Sequence, residues 1–534
     1  MGNLEAGNAL QAFKIANGGT VTVGGQPGYV VLTSILFFIF GKNEFWARIW
    51  PALFGTGLIF VPLLFRKWLG KIPTLALAFF ITIEPGFTAL SRTSTGTMIG
   101  LVSLCAAVGL LLNHKTIWAG IFGGIALLGG VAFWPGFFGI LISLGISFLL
   151  FRKKQDSSLP SGETPLVQID WKTFALSTGG TLILLGTMFL IRPVTISGLG
   201  TSIAEYFVSW GKIGQGASIK VMLIALLSTQ FLAVLLAFWE AIAGRKEHAG
   251  MNIFLGLWAL VSTALTLLNP SRQVVDWVWT LLPLWTLAAI GVEDLRQYFS
   301  ADEWLLKLFQ TIFTFVLFIF SYLNLLSFVV GAANGAMTKN TAVLSILLPL
   351  ALLAVITFLI GWGWSPNASR QGTLMGLGLI LLFVTFGSSW KSAGLGPRPE
   401  TELWRSDSLP VGRDLMVKSV NNIALWNSGQ KEGIDIVLLN EDQPSLQWAF
   451  RDILTVKQAD VLGDTETPSI VISAANESLN LAKIYQGQEI VWTSAPDFEK
   501  MTAKDWVEWS ALRKANLVST NCFLWARTDL LKGS

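Results

Sequence analysis

The chain has 534 residues, 52% of them hydrophobic and only 13% charged, well below the quarter or so of charged residues in ordinary soluble domains. Its net charge of +4 is unevenly spread. Residues 395–534 hold 14 Lys/Arg and 19 Asp/Glu and the rest of the chain 23 and 14, so neither part has the dense basic patch that nucleic acid requires. Two cysteines and two histidines rule out a disulfide framework, and nearly rule out a thiolate or histidine-rich metal site and an outer-face Ser-His-Asp triad; no metal or cofactor is expected.

Residues 4–16 have helical spacing. Ala6, Leu10 and Phe13 form an apolar stripe, Glu5, Gln11 and Lys14 form the polar side, and Gly18-Gly19 ends the helix. Residues 28–41 are apolar but too few to cross a bilayer core of about 30 Å, which predicts an interfacial or re-entrant helix. Residues 1–43 thus form one outer segment. The start carries no basic region and no first anchor, which predicts either a helix upstream of this chain or a genuine outside start.

Twelve spans are predicted within residues 44–390, at 44–65, 72–90, 95–113, 115–131, 135–151, 173–192, 219–243, 251–268, 274–292, 305–328, 342–362 and 371–388. Alternate loops are basic: RKWLGK (66–71), NHK (113–115), RKKQ (152–155), GRKEH (244–248) and EDLRQ (293–297). Basic loops face the cytoplasm. An even span count then puts residues 1–43 and 391–534 on the extracytoplasmic side. Residues 152–171 read as a polar, mobile cytoplasmic linker.

Residues 391–534 read as a small α/β domain. Strands are predicted at 434–439, 469–474, 489–494 and 521–527, and helices at 444–454, 477–486 and 503–515. No glycine-rich phosphate loop opens any of these helices, so a nucleotide is not indicated. The domain's five tryptophans, Trp448, Trp492, Trp506, Trp509 and Trp525, read mostly as core or membrane-contact residues, with one or two available to stack on a sugar ring.

The order LEAGNALQAFKIANGG (4–19), QPGY…FG (26–41), Arg48 and EPGFTALSRTSTGT (84–97) resembles the GT-C membrane glycosyltransferases, nearest the protein mannosyltransferase and aminoarabinose transferase group of prokaryotes. LQWAFRDI (446–453), KIYQGQE (483–489), WVEW (506–509) and FLWARTDLL (523–531) resemble the outer domain of that group. The resemblance covers nearly the whole chain. It implies a plasma-membrane enzyme moving a sugar from a polyprenyl-phosphate donor, among membrane lipids, to an acceptor that the sequence leaves unknown. The family's first loop acid is Leu4 here, its second acid is Thr97, and its basic residue before proline is Gln26. The resemblance leaves Glu5 as base, Gln26, Arg92 and Arg272 as partners of the donor phosphate or substrate, and Glu84, Thr97 and Trp134 as cavity lining.

Each residue also has a plainer reading. Glu5 fits a first-turn helix acid, and Arg92 a side chain reaching up to headgroups. Arg272 fits a turn cap or a partner of Asp276, Glu84 a turn acid rather than a cavity wall, and Trp134 an aromatic-belt residue rather than a sugar platform. Two other classes of function stay open: a degenerate relative acting as a binding or scaffold subunit in envelope assembly, and a transporter. The transporter is disfavoured because the charges gather at span ends.

Overall fold

The computed structural model describes all residues except 156–168, 244–248, 300–301, 335–338, 406, 440, 454, 464–465, 475–482 and 532–534. The body of the predicted 152–171 linker and most of the predicted 477–486 helix fall outside the described residues; the end of the latter, Tyr485-Gln486, opens a strand.

The chain begins with three helices, α1 (Asn3–Ala16), α2 (Pro27–Phe40) and α3 (Glu44–Leu58). Helices follow at every other predicted span. Seven are long and apolar enough to cross a membrane: Phe133–Leu150, Ile219–Ile242, Ala249–Leu268, Val274–Tyr298, Trp304–Val329, Val343–Gly363 and Pro366–Leu395. This is a multi-pass membrane protein. The other five predicted spans hold shorter or broken helices. The span expected at 72–90 breaks into Lys71–Ile83 and Pro85–Leu90. Its cause is Pro85, which pushes Glu84 to an extended ψ of 125°.

Sequence reading did not foresee the Ser197–Ser209 helix. It buries Gly198, Ser202 and Tyr206. Tyr206 packs with Phe133 and Trp134, and the Trp134 indole donates to Ser202 Oγ at 3.1 Å.

Backbones close in tightly at one point. Gly129 lies against Gly100, and a Cβ on Gly129 would clash with the Gly100 backbone. Gly130 has φ +89°, where a side chain is strained. Leu128 O accepts from Gly28 N–H at 2.8 Å, and Val131 N–H donates to Gly25 O at 3.0 Å. Gly129→Ala should therefore cost about 1–3 kcal/mol, the usual overpacking penalty, and lower the thermal midpoint of the purified protein. A midpoint equal to wild type would show that the turn is not the clamp its geometry implies.

The C-terminal domain is a five-stranded sheet, β1 (Asp435–Leu439), β2 (Thr455–Ala459), β3 (Ile470–Ser473), β4 (Tyr485–Pro496) and β5 (Leu517–Arg527), in the order β2-β1-β3-β5-β4. β1 runs parallel to β2 and β3, whereas β5 is antiparallel to β3 and β4. The registers include Ile436↔Ile470 and Ile472↔Leu524. The Arg413–Ser428 helix, also unforeseen, buries Met416, Val420, Ile423 and Ala424. Their spacing of four, three and one is a helical stripe. With Ile436, Leu438, Ile470 and Ile472 they form the domain's own core.

Two aromatic groups fasten this domain to the bundle. Trp404, Trp506 and Trp509 join the same core as Trp277, Trp279 and Trp285 of the bundle. Trp448 joins the core of α1 and α2 and stacks on Phe37 with ring centres 5.8 Å apart. Trp448, Trp492 and Trp509 are fully buried, and the Trp525 indole donates to Ser473 Oγ, so these four serve packing.

Candidate functional site

Glu5 lies in the first turn of α1, where the helix's positive end favours a carboxylate. It is 5% exposed, although the sequence placed it on the polar side of α1. The buried face is wider than the predicted stripe, because Ala9, Ala12 and Ile15 are buried as well. Arg48 of α3 donates to Glu5 Oε2 at 2.9 Å, and the Ser94 amide donates to Oε1 at 3.1 Å. One turn on, Asn8 donates to Ser94 O at 3.1 Å, so α1 grips the 91–96 loop at both backbone groups of Ser94.

Charged groups continue outward from this pair. Arg48 also reaches Glu44 at 3.5 Å, one turn earlier on α3, and Glu44 pairs with Arg413 of the C-terminal domain. The segment joining the bundle to that domain adds Arg405 and Asp407. Arg405 stands in the field of Glu5, Arg48, Glu402 and Arg92, and burial pulls its pKa below the ordinary arginine value. The Asp407 carboxylate accepts from the Leu4 amide. Burial pushes the Asp407 carboxyl above the usual aspartate range. The Nε–H groups of Arg48 and Arg405 are buried without a hydrogen-bond partner among the described residues. A buried donor left unmade is costly, and an anionic ligand satisfies several at once.

The domain roofs this cluster. Asn3 Oδ1 accepts from the Ser445 amide at 3.2 Å. Lys42 Nζ donates to Arg451 O at 2.7 Å and pairs with Asp452 at 3.6 Å. Neither Arg48, Arg405 nor Asp407 figured among the site residues expected from sequence. Arg48 was visible only as a motif position. The other two lie in an irregular connection with no periodicity to mark them.

The remaining expected residues fall in different places. Arg92 is exposed and its side chain has no hydrogen-bond or ion-pair partner among the described residues; its link to the cluster is its charge on Arg405. Gln26 Oε1 accepts from the Gly96 amide at 2.5 Å, just before the helix that Thr97 opens. Thr97 receives a bond from Thr95 Oγ1 at 3.4 Å.

Glu84 is wholly buried. It accepts from the Gly86 amide at 2.8 Å, from the Phe87 amide, and from Gln230 Nε2 at 2.5 Å, and Gln230 in turn accepts from the Trp285 indole at 3.0 Å. An exposed turn acid is therefore not what Glu84 is: it caps a helix inside the bundle. Trp134 packs against the Ser197–Ser209 helix. Arg272 donates to Leu267 O and Asn269 O, both at 3.2 Å, as a cap on the Ala249–Leu268 helix. Asp276 accepts instead from the Gln273 amide at 2.7 Å. No bond among the described residues joins Arg272 to the Glu5 cluster.

A cavity of about 1490 Å³ lies elsewhere in the bundle, between residues such as Phe80, Leu232, Trp239, Trp304 and Leu382. Its lining includes none of the charged residues around Glu5.

No family model and no curated protein matches the chain. Solved structures do. ArnT from Cupriavidus metallidurans bound to undecaprenyl phosphate superposes with a TM-score of 0.54 at 14% identity, over 98% of this chain and 94% of that one. The same protein in its apo state gives 0.55 at 14% identity over the same shares. The likeness is one of fold. The chain has the GT-C type of membrane architecture, with a small sheet domain at its C-terminal end.

Proposed function

We propose that the protein transfers a sugar from a polyprenyl-phosphate donor to an acceptor on the extracytoplasmic side of a prokaryotic plasma membrane. The observation that carries this reading is a buried carboxylate, Glu5, held by Arg48 and the Ser94 amide beneath the C-terminal domain, with Arg405 and Arg92 alongside. Glu5 is the base. An acceptor oxygen or nitrogen bonds to the anomeric carbon, the bond from that carbon to the phosphate oxygen breaks with its electrons staying on the phosphate, and Glu5 takes the acceptor's proton. Arg92 and Arg405 meet the charge that grows on the departing phosphate. Gln26 and Thr97 shape the walls by holding the 94–97 loop, while Arg272 caps the Ala249–Leu268 helix away from it. Glu84 and Trp134 serve packing inside the bundle, as a helix cap and as a contact of the Ser197–Ser209 helix.

The lipid-phosphate donor is supported by the full-length likeness to a structure that holds undecaprenyl phosphate. The test uses the chain purified into lipid nanodiscs, with undecaprenyl-phosphate hexoses and pentoses as donors and a mixed envelope glycan extract as acceptor. Transfer of label into the extract is expected. A chain that binds undecaprenyl phosphate and transfers from no donor is instead a binding subunit of envelope assembly. One observation favours that second reading: where a cation would serve the phosphate stands the neutral Gln26, whose side-chain oxygen accepts from the Gly96 amide.

The orientation has its own test. With Cys105 and Cys522 both buried, an impermeant thiol reagent on intact cells should label Asp460→Cys and spare Gln155→Cys. The reverse pattern would turn the protein over in the membrane and remove the extracytoplasmic site.

A further inference from the structure

Asp407 is poorly explained as a passive surface acid. It lies between Arg405 and the C-terminal domain, yet its carboxylate reaches the first turn of α1 and accepts from the Leu4 amide, next to the residue that carries the buried carboxylate. The approach is so close that a Cβ on Gly2 would collide with the Asp407 side chain. The Glu5 charge bears on Asp407, and the Glu5 and Arg92 charges bear on Arg405 two residues earlier. One short connection thus delivers an acid and a guanidinium to the same helix end. Position 4, on that helix turn, is a leucine and supplies no acid of its own.

We propose that Asp407 is the second carboxylate of the substrate site, reaching it from the connection to the C-terminal domain. This rests on the reading of the Glu5 cluster as a glycosyl-transfer centre. Glu5 is already tied to Arg48 and Ser94, which orients it. Asp407 completes the pair that cradles the acceptor's X–H group. The proton released when the acceptor bonds to the anomeric carbon goes to this pair, and the electrons of the broken carbon–oxygen bond leave with the phosphate.

The plainer role for Asp407 is a helix cap. Asparagine caps a helix end as well as aspartate does, so Asp407→Asn keeps the cap and removes the charge. Two measurements are made on the full chain in nanodiscs: transfer from undecaprenyl-phosphate sugars, and binding of undecaprenyl phosphate itself. Asp407→Asn is expected to lower transfer at least about tenfold, at an unchanged thermal midpoint. It should also tighten undecaprenyl phosphate about threefold or more, because a like charge beside the phosphate is gone.

Wild-type transfer and wild-type binding in Asp407→Asn, with losses only in Asp407→Ala, would reduce Asp407 to a cap and overturn the proposal. A wild type that binds the lipid and transfers nothing removes the transfer reading alone; the second-carboxylate assignment then stands on the threefold gain and falls without it. A wild type that binds no undecaprenyl phosphate overturns both.

Discussion

Glu5→Gln should lower sugar transfer from a polyprenyl-phosphate donor by at least about a hundredfold, the ordinary contribution of a general base. Glutamine preserves the side-chain length and still accepts from the Ser94 amide, so the loss reads charge and basicity rather than shape. Undecaprenyl phosphate should still bind, since Arg92 and Arg405 are untouched. The sequence places Glu5 on the polar side of α1, where its removal predicts little change in folding; its burial predicts a larger one. Glu5→Gln leaves Arg48 with only Glu44, which Arg413 already shares, so the thermal midpoint should fall as well. A hundredfold loss of turnover in molecules that remain folded, with binding intact, is the result expected. Full turnover in the same preparation would exclude Glu5 as the base.

Arg513→Ala should have the largest effect on stability. Arg513 is 4% exposed and donates to Glu402 at 2.9 Å, and its guanidinium lies 4.0 Å from the Trp509 ring centre. The Trp509 indole donates in turn to Thr401 O at 2.8 Å. The pair bridges the sheet domain and the segment that leaves the last membrane helix. Removing one partner strands a buried charge, at a cost of about 3–5 kcal/mol. Arg513→Lys should recover little of it, because an ammonium has no planar face to lay on the indole. Hydrogen exchange is the appropriate measurement. The amides of 398–404 and 503–512 should exchange faster in Arg513→Ala while those of the bundle interior do not. Equal protection in both proteins would show that the tryptophans alone hold the junction.

Much of the fold was legible in the sequence because its causes are local. Runs of apolar residues and the basic loops between them marked the bundle helices apart from Ser197–Ser209, and β1 and β3 were visible as continuous apolar runs, as buried parallel strands are. The Glu84-Pro85 break was not inferred, although the proline that causes it is in plain view. β2 was missed because it is an edge strand, TVKQA, with no apolar run and mostly exposed side chains. The site divided in the same way. Glu5 was found through the resemblance of residues 4–19 to the family's loop motif; the helical pattern alone marks it only as a first-turn acid. Asp407 and Arg405 were not, since nothing within ten residues of either announces that the connection folds back across α1. Glu84 was read as cavity lining or, more simply, as an exposed turn acid, because a carboxylate before a proline at a helix end is normally wet. Gln230, which accounts for its burial, is 146 positions away.

The pieces around Glu5 come from residues 5, 48, 94, 405 and 407, and the roof over them from residues 445 and 451. Early in synthesis Glu5 has Arg48 and Ser94 but neither Arg405 nor Asp407. The centre closes only after the last membrane helix is in place and the sheet domain has folded against α1. A ribosome that stops short, or a protease that removes the domain, leaves a bundle with an incomplete set of charges. If the cluster is the transfer centre proposed above, completion of the polypeptide is built into its chemistry: a half-made molecule would lack the Arg405 and Asp407 charges that the transfer uses.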